Sequence, residues 1–169
     1  NAPINVASPS ITLTAPIQSY LSNNAVTWSA TTSIGVTTGE FAMRAVGAIT
    51  LTATNNILLT TGAGQLGLVS ESGLTVTGNQ MTFTSGDFSL IAQSTLSLQD
   101  QSITIQSTPY DIEWRSNTFL TTANTLTIQA QSNILIDAAL GATITAPTAT
   151  LTAVNNIDIV NSGQEIDID

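Results

Sequence analysis

A three-residue motif of apolar, small or polar, and apolar residues recurs along nearly the whole chain. It begins as Ile4-Asn5-Val6, Ile11-Thr12-Leu13, Val26-Thr27-Trp28, Ile34-Gly35-Val36, Phe41-Ala42-Met43 and Ile49-Thr50-Leu51. It continues through Ile57-Leu58-Leu59, Leu66-Gly67-Leu68, Leu74-Thr75-Val76, Met81-Thr82-Phe83, Phe88-Ser89-Leu90, Leu96-Ser97-Leu98, Ile103-Thr104-Ile105 and Ile112-Glu113-Trp114. Leu126-Thr127-Ile128, Ile134-Leu135-Ile136, Ile157-Asp158-Ile159 and Ile166-Asp167-Ile168 follow. Weaker members near Ser19, Phe119, Ala142 and Ala149 fill the gaps, so about 22 motifs start between positions 4 and 166, a mean step of roughly 7.7 residues.

Alternation with period two puts both apolar side chains of a motif on one face of a strand and the middle residue on the other. A coiled coil would instead place apolar residues at i and i+3 or i+4 among helix formers, whereas here they stand at i and i+2 amid Thr, Gly and Asn. Asn55-Asn56, Gly62-Ala63-Gly64, Ser72-Gly73, Gly78-Asn79, Ser85-Gly86-Asp87, Asn155-Asn156 and Ser162-Gly163 separate the motifs. Such residues tolerate positive φ or bond locally to the backbone, so they read as corners between short strands.

A strand this short buries two apolar side chains, roughly 3–6 kcal/mol, against about 1–2 kcal/mol of backbone entropy for each of its seven or eight residues. Single repeats therefore cannot stand alone, and stability has to come from stacking them at about 4.8 Å around a shared apolar axis. The expected fold is all-β, a repetitive β-solenoid forming one domain over residues 1–169. Its expected core includes Ile49, Leu51, Leu74, Val76, Leu96, Leu98, Ile103, Ile105, Leu126, Ile128, Ile134, Ile136, Ile157 and Ile159.

Three steps make a turn of about 23 residues, which suits two arrangements. One chain can coil alone with three faces, giving a prism roughly 34 Å long. Three identical chains can instead wind about one axis, each supplying a strand to every layer, and reach about 100 Å. Short, even repeats, few inserted loops and no amphipathic helix to cap an end favour the intertwined homotrimer.

Composition narrows the functional classes. Charged residues make up 8% of the chain, against about 25% in ordinary domains, while 29 Thr and 17 Ser supply the water-facing surface. Recurrent β-branched and aliphatic residues argue against disorder. The formal charge is −9 and the only cations are Arg44 and Arg115, so no basic stripe exists to neutralise phosphates and nucleic-acid binding is not expected. Neither histidine, cysteine nor lysine is present, which removes disulfides, soft-metal sites and the usual nucleophile–base pairs. No apolar run is long enough for a membrane span, and the start Asn1-Ala2-Pro3 reads as that of a fragment of a longer protein.

The strings Ile11-Thr-Leu-Thr-Ala-Pro16, Ile49-Thr-Leu-Thr-Ala-Thr-Asn-Asn56 and Ala142-Thr-Ile-Thr-Ala-Pro-Thr-Ala-Thr-Leu-Thr-Ala153 resemble the triple-stranded β-helix of cell-puncturing spikes. That group includes phage tail needles, the VgrG-type spikes of type VI secretion and vertex spikes of large viruses. The resemblance covers almost the entire chain. It implies a homotrimeric shaft in a virion or extracellular injection apparatus, joined to a baseplate, vertex or tip protein and driven mechanically through a host cell envelope or wall. It implies neither an enzyme nor a cofactor. The chain lacks the histidines that hold an axial metal in some needles, and it ends on Ile166-Asp-Ile-Asp169 without an apex-like segment. A host-glycan-binding fibre or adhesin stalk is the contrasting expectation.

Carboxylates are the only side chains left for catalysis. Asp111 and Glu113 lie two apart on one strand face, roughly 6.5–7 Å between Cα atoms, a spacing from which a glycosidase pair could be built. Arg115 shares that face, so a solvated ion-paired patch without a pocket is the stronger expectation. Trp28 and Trp114 take inward motif positions and are expected to fill the core. Asp167 and Asp169, with Asp158 and Glu165, could bind a hard cation such as Ca²⁺ if three copies met on an axis, or could simply repel one another at a solvated end. The segments 18–24 and 107–122 break the rhythm most and predict a protruding loop or a changed strand path.

Overall fold

The computed structural model describes residues 4–62, 64–108, 111–146, 148–161 and 166–168, and among them it has strands and turns but no helix. The strands are β1 (Ile4–Ser22), β2 (Val26–Ala45), β3 (Ile49–Ala53), β4 (Asn56–Thr61), β5 (Gln65–Ser70), β6 (Leu74–Thr77), β7 (Gln80–Ser85) and β8 (Asp87–Ala92). They continue as β9 (Thr95–Gln99), β10 (Ser102–Ser107), β11 (Ile112–Thr122), β12 (Thr125–Ala130), β13 (Asn133–Thr145), β14 (Thr148–Ala153), β15 (Asn156–Asn161) and β16 (Ile166–Ile168).

Every pairing is parallel and joins residues one coil apart, from 22 positions (Leu74 to Leu96) to 25 (Phe41 to Leu66). The result is a three-faced β-solenoid closed within one chain. Face one stacks residues 4–8, 26–30, 49–53, 74–77, 95–99, 118–122, 142–144 and 166–168. Face two stacks 10–15, 33–38, 56–61, 80–85, 102–107, 125–130 and 148–153. Face three stacks 17–22, 40–45, 65–70, 87–92, 112–115, 134–138 and 156–161. Eight rungs at about 4.8 Å give face one a height of about 34 Å.

Where the turn residues are scarce, one strand runs through a corner. β1 and β2 each cross all three faces, and β11 and β13 each cross two. The segment 107–122 is thus a changed strand path and not a projection, apart from Pro109 and Tyr110, which lie outside the described residues.

The alternating pattern places the motifs' apolar residues on the axis. Ile49, Leu51, Leu74, Val76, Leu96, Leu98, Ile103, Ile105, Leu126, Ile128, Ile134 and Ile136 are all buried. Ile157 departs from the expected core at 41% exposed, and Ile159 is only partly buried. Both stand on β15, the last described rung of face three, and no described coil covers them. Aromatic pairs plug the axis at three heights: Trp28 and Phe41 with ring centroids 5.9 Å apart, Phe83 and Phe88 at 5.4 Å, and Trp114 and Phe119 at 4.8 Å.

A third inward position, at the end of each strand, turns into the corner and holds mostly small side chains. Ala30, Ala53, Ala123 and Ala146 hold it between faces one and two, all nearly buried. Interior strands have a hydrogen-bonded neighbour on each side, so among the described residues unpaired edges belong to β1 at one end and to β14, β15 and β16 at the other.

Candidate functional site

Charge is segregated by the coil. Glu40, Arg44, Asp87, Asp111, Glu113, Arg115, Asp137 and Asp158 all belong to face three or its leading edge. Among the described residues, the other charges are Glu71 and Asp100, each in a corner, and Asp167, in β16 on face one. The outer columns of faces one and two are otherwise uncharged, as in Thr82-Thr104-Thr127-Thr150 on consecutive rungs of face two.

The leading edge of face three is a polar ladder. Gln65 Nε2 donates to Asp87 Oδ2 at 3.3 Å, while Asn133 donates to Asp111 Oδ1 from its backbone N at 2.9 Å and from Nδ2 at 3.0 Å. Burial pushes the Asp111 carboxyl up, but hydrogen bonds from the Ser132 hydroxyl and from the Asn133 backbone and amide outweigh it and hold the carboxyl below its ordinary range. One column inward, Arg115 binds Glu113 Oε1 at 2.6 Å. A groove of about 480 Å³ opens beside these groups, lined by Asp87, Asp111, Ile112, Glu113, Asn133, Ile134, Leu135 and Asp158. This corrects the expectation that no concavity surrounds Asp111 and Glu113.

The groove's chemistry is that of a solvated acidic surface. A glycosidase pair needs one carboxyl held protonated near neutral pH. Here Asp111 is shifted the opposite way and Glu113 is bound by Arg115. The aromatic side chains that could stack on a sugar ring turn inward: Trp28 and Trp114 are each 1% exposed, with indole Nε1 atoms that have no hydrogen-bond partner, and Tyr20 packs edge-on against Trp28. Tyr110 lies outside the described residues.

Asp167 sits in β16, paired through its backbone with Thr143, and Asp169 and Glu165 lie outside the described residues. Among the described residues no group of three or more acidic side chains is arranged to hold a metal ion.

The residue that motif reading passed over is Asp100. It occupies the corner position that is Ala30, Ala53, Ala123 and Ala146 in other coils, and it is 7% exposed. Its Oδ1 accepts from the Ser102 backbone N at 3.3 Å, and its Oδ2 is buried without a partner. The signal that finds it is the column, visible only when the sequence is folded at the coil's own period.

Searched against family models, curated proteins and solved structures, the chain matches none of them.

Proposed function

We propose that the protein is the structural shaft of a homotrimeric spike or needle of a virion or contractile injection machine, working mechanically at a host cell envelope or wall. The observation that carries this is the uninterrupted parallel ladder: each interior strand is bonded above and below, and the axis is filled with side chains. Load applied along or across such a stack meets a continuous hydrogen-bond network through the described residues. Among the described residues no face presents an exposed aromatic platform, and the shaft reading rests on shape. In this reading three copies share the axis, a neighbouring baseplate, vertex or tip protein meets the open ends, and the outer surface slides past host polymers.

A specific observation favours a second arrangement of the same shaft. Each strand bonds the strand 22–25 residues further along its own chain, so one copy closes its own three-faced coil. The intertwined trimer would replace each of those contacts by its equivalent between chains. Light scattering joined to small-angle X-ray scattering separates the two. The trimer gives three times the 17.5 kDa chain mass and a rod of about 100 Å, and the self-coiled shaft gives 17.5 kDa and about 34 Å. A compact 17.5 kDa particle that neither ruptures liposomes nor enters cell-wall sacculi, yet binds glycans tightly, would replace the shaft with the adhesin.

A further inference from the structure

The corner between faces one and two is alanine in four coils, with Ser8 at its open end, and its interior exception comes as a pair. Ala30 and Ala53 occupy it below, Ala123 and Ala146 above, and between them stand Gly78 and Asp100 on adjacent rungs. A Cβ on Gly78 would lie 2.9 Å from Asp100 Oδ2, closer than such atoms approach. The position that loses its side chain is therefore the one directly beneath the carboxyl, and the space vacated is filled by Oδ2.

The surroundings decide which form of the carboxyl fits. The same point above Gly78 lies 3.5 Å from the Asn55 carbonyl oxygen and 3.5 Å from Ile57 Cγ1. Neither donates a hydrogen bond, and Asn55 O already accepts from the Asn79 and Gln80 amides. The Ser102 N–H donates to Oδ1, while Oδ2 is buried without a partner. No titratable or charged side chain faces Asp100 from β4, β6, β7, β9, β10, β12 or the 118–122 stretch of β11. An ionised carboxylate would hold one oxygen in a buried corner with neither a donor nor a compensating charge, a cost that the neutral carboxyl largely escapes.

We propose that Asp100 is a proton-held latch: its carboxyl folds into the corner in the neutral form, and loss of the proton loosens the solenoid at this coil. Burial drives the carboxyl above its ordinary range, against the smaller pull of the Ser102 and Gln101 backbone hydrogen bonds. For an acid raised in the folded state, stability is full below the unfolded value near 3.9 and is lost as pH rises through the folded one. This corner is thus firmest when the carboxyl is neutral, and the two coils spanning Gly78 to Ala123 are the layers that give as pH climbs.

Amide hydrogen exchange on the full chain, read at Gly78, Ser102 and Ala123 from about pH 4 to about pH 8, tests this with wild type, Asp100→Asn and Asp100→Ala. After correction for intrinsic exchange, local opening in the wild type should increase relative to both variants by up to about tenfold per pH unit until the folded-state titration is complete, then run parallel. Amides of Val26 and Ile34, remote from the corner, should show a smaller difference. Should Asp100→Asn fail to fold, Asp100→Ala carries the comparison, because alanine is the resident of this corner in four other coils. Identical pH dependence in wild type and variants overturns the proposal, as does a wild type more protected than Asp100→Ala at about pH 8, which would mean the ionised form has a partner.

Discussion

Adding one methyl group to the corner should have different effects in two backgrounds. Gly78 adopts no left-handed backbone conformation, so alanine fits its φ without strain, and reduced freedom of the unfolded chain should favour Gly78→Ala by about 0.4–1 kcal/mol. Against this stands the contact with Asp100 Oδ2 at 2.9 Å. Overpacking of a buried site costs about 1–3 kcal/mol. In the wild type the net effect is therefore between about zero and a loss of about 2.6 kcal/mol. In an Asp100→Ala background the clash disappears, the remaining neighbours sit at an ordinary 3.5 Å, and Gly78→Ala should stabilise by about 0.4–1 kcal/mol. Asp100→Ala alone should stabilise at neutral pH, because removing an unpaired buried oxygen, about 1–3 kcal/mol, exceeds the loss of the long Ser102 hydrogen bond, about 0.5–1.5 kcal/mol. Urea unfolding of the four proteins measures the coupling, and thermal melts should follow at about 2–4 °C per kcal/mol for a domain of this size. If Gly78→Ala has the same effect in both backgrounds within about 0.5 kcal/mol, the two residues do not share the corner and the account of it is wrong.

Two further substitutions probe the facing and the polar ladder. Ile105→Asp puts a carboxyl between Phe83 and Ile128 on the dry axis and should cost more than about 4 kcal/mol, much of a typical domain's stability, whereas Thr104→Asp, between Thr82 and Thr127 outside, should stay within about 0.5 kcal/mol. Circular dichroism and urea midpoints compare them, and equal damage contradicts the inward and outward assignment. Asp111, with its carboxyl held below the ordinary range, contributes stability that is present above about pH 3.9 and lost as pH falls through its folded value. Wild type should therefore lose stability faster than Asp111→Asn below about pH 4, and parallel acid curves would remove the ladder from the account.

Much of this fold is legible in the motif itself. Two apolar residues two apart, repeated at a step near 7.7, dictate short strands with one buried face, and three steps give the coil that the structure closes at 22–25 residues. Ile103, Ile105, Leu126 and Ile128 are buried for that reason. Ile157 carries the same motif and is exposed, because burial depends on a neighbouring coil and not on the motif. Which chain supplies the neighbouring strand is invisible to a periodic pattern, since each motif would pair equally well with its equivalent in a second copy. Asp100 and Gly78 look ordinary in linear order, as turn residues after Leu98 and Val76. They become informative only when stacked against Ala53 and Ala123, and the same holds for the charges of face three. The groove beside Asp111 arises from side chains of several coils and has no linear signature.

The stacking geometry also explains why the chain carries so few charges. Adjacent rungs lie about 4.8 Å apart, and two like charges at that distance repel by about 1 kcal/mol in water and by several times that near a protein surface. A charge repeated in one column of a seven-rung face would multiply the penalty at every step, with no freedom to move apart because the backbone ladder holds the spacing. Threonine fills a solvated strand position with high β propensity and no such cost. Where charges do occur, their neighbours on the ladder temper them. Arg115 is registered against Asp137 and paired with Glu113, and the adjacent carboxylates Asp87 and Asp111 are flanked by the amides of Gln65 and Asn133. Low charge content and abundant hydroxyls are thus consequences of the solenoid, and they are compatible with any function that a stack with two nearly uncharged faces can serve. Evidence for a particular function has to come from what interrupts the columns, which is why Asp100 outweighs the repeated threonines.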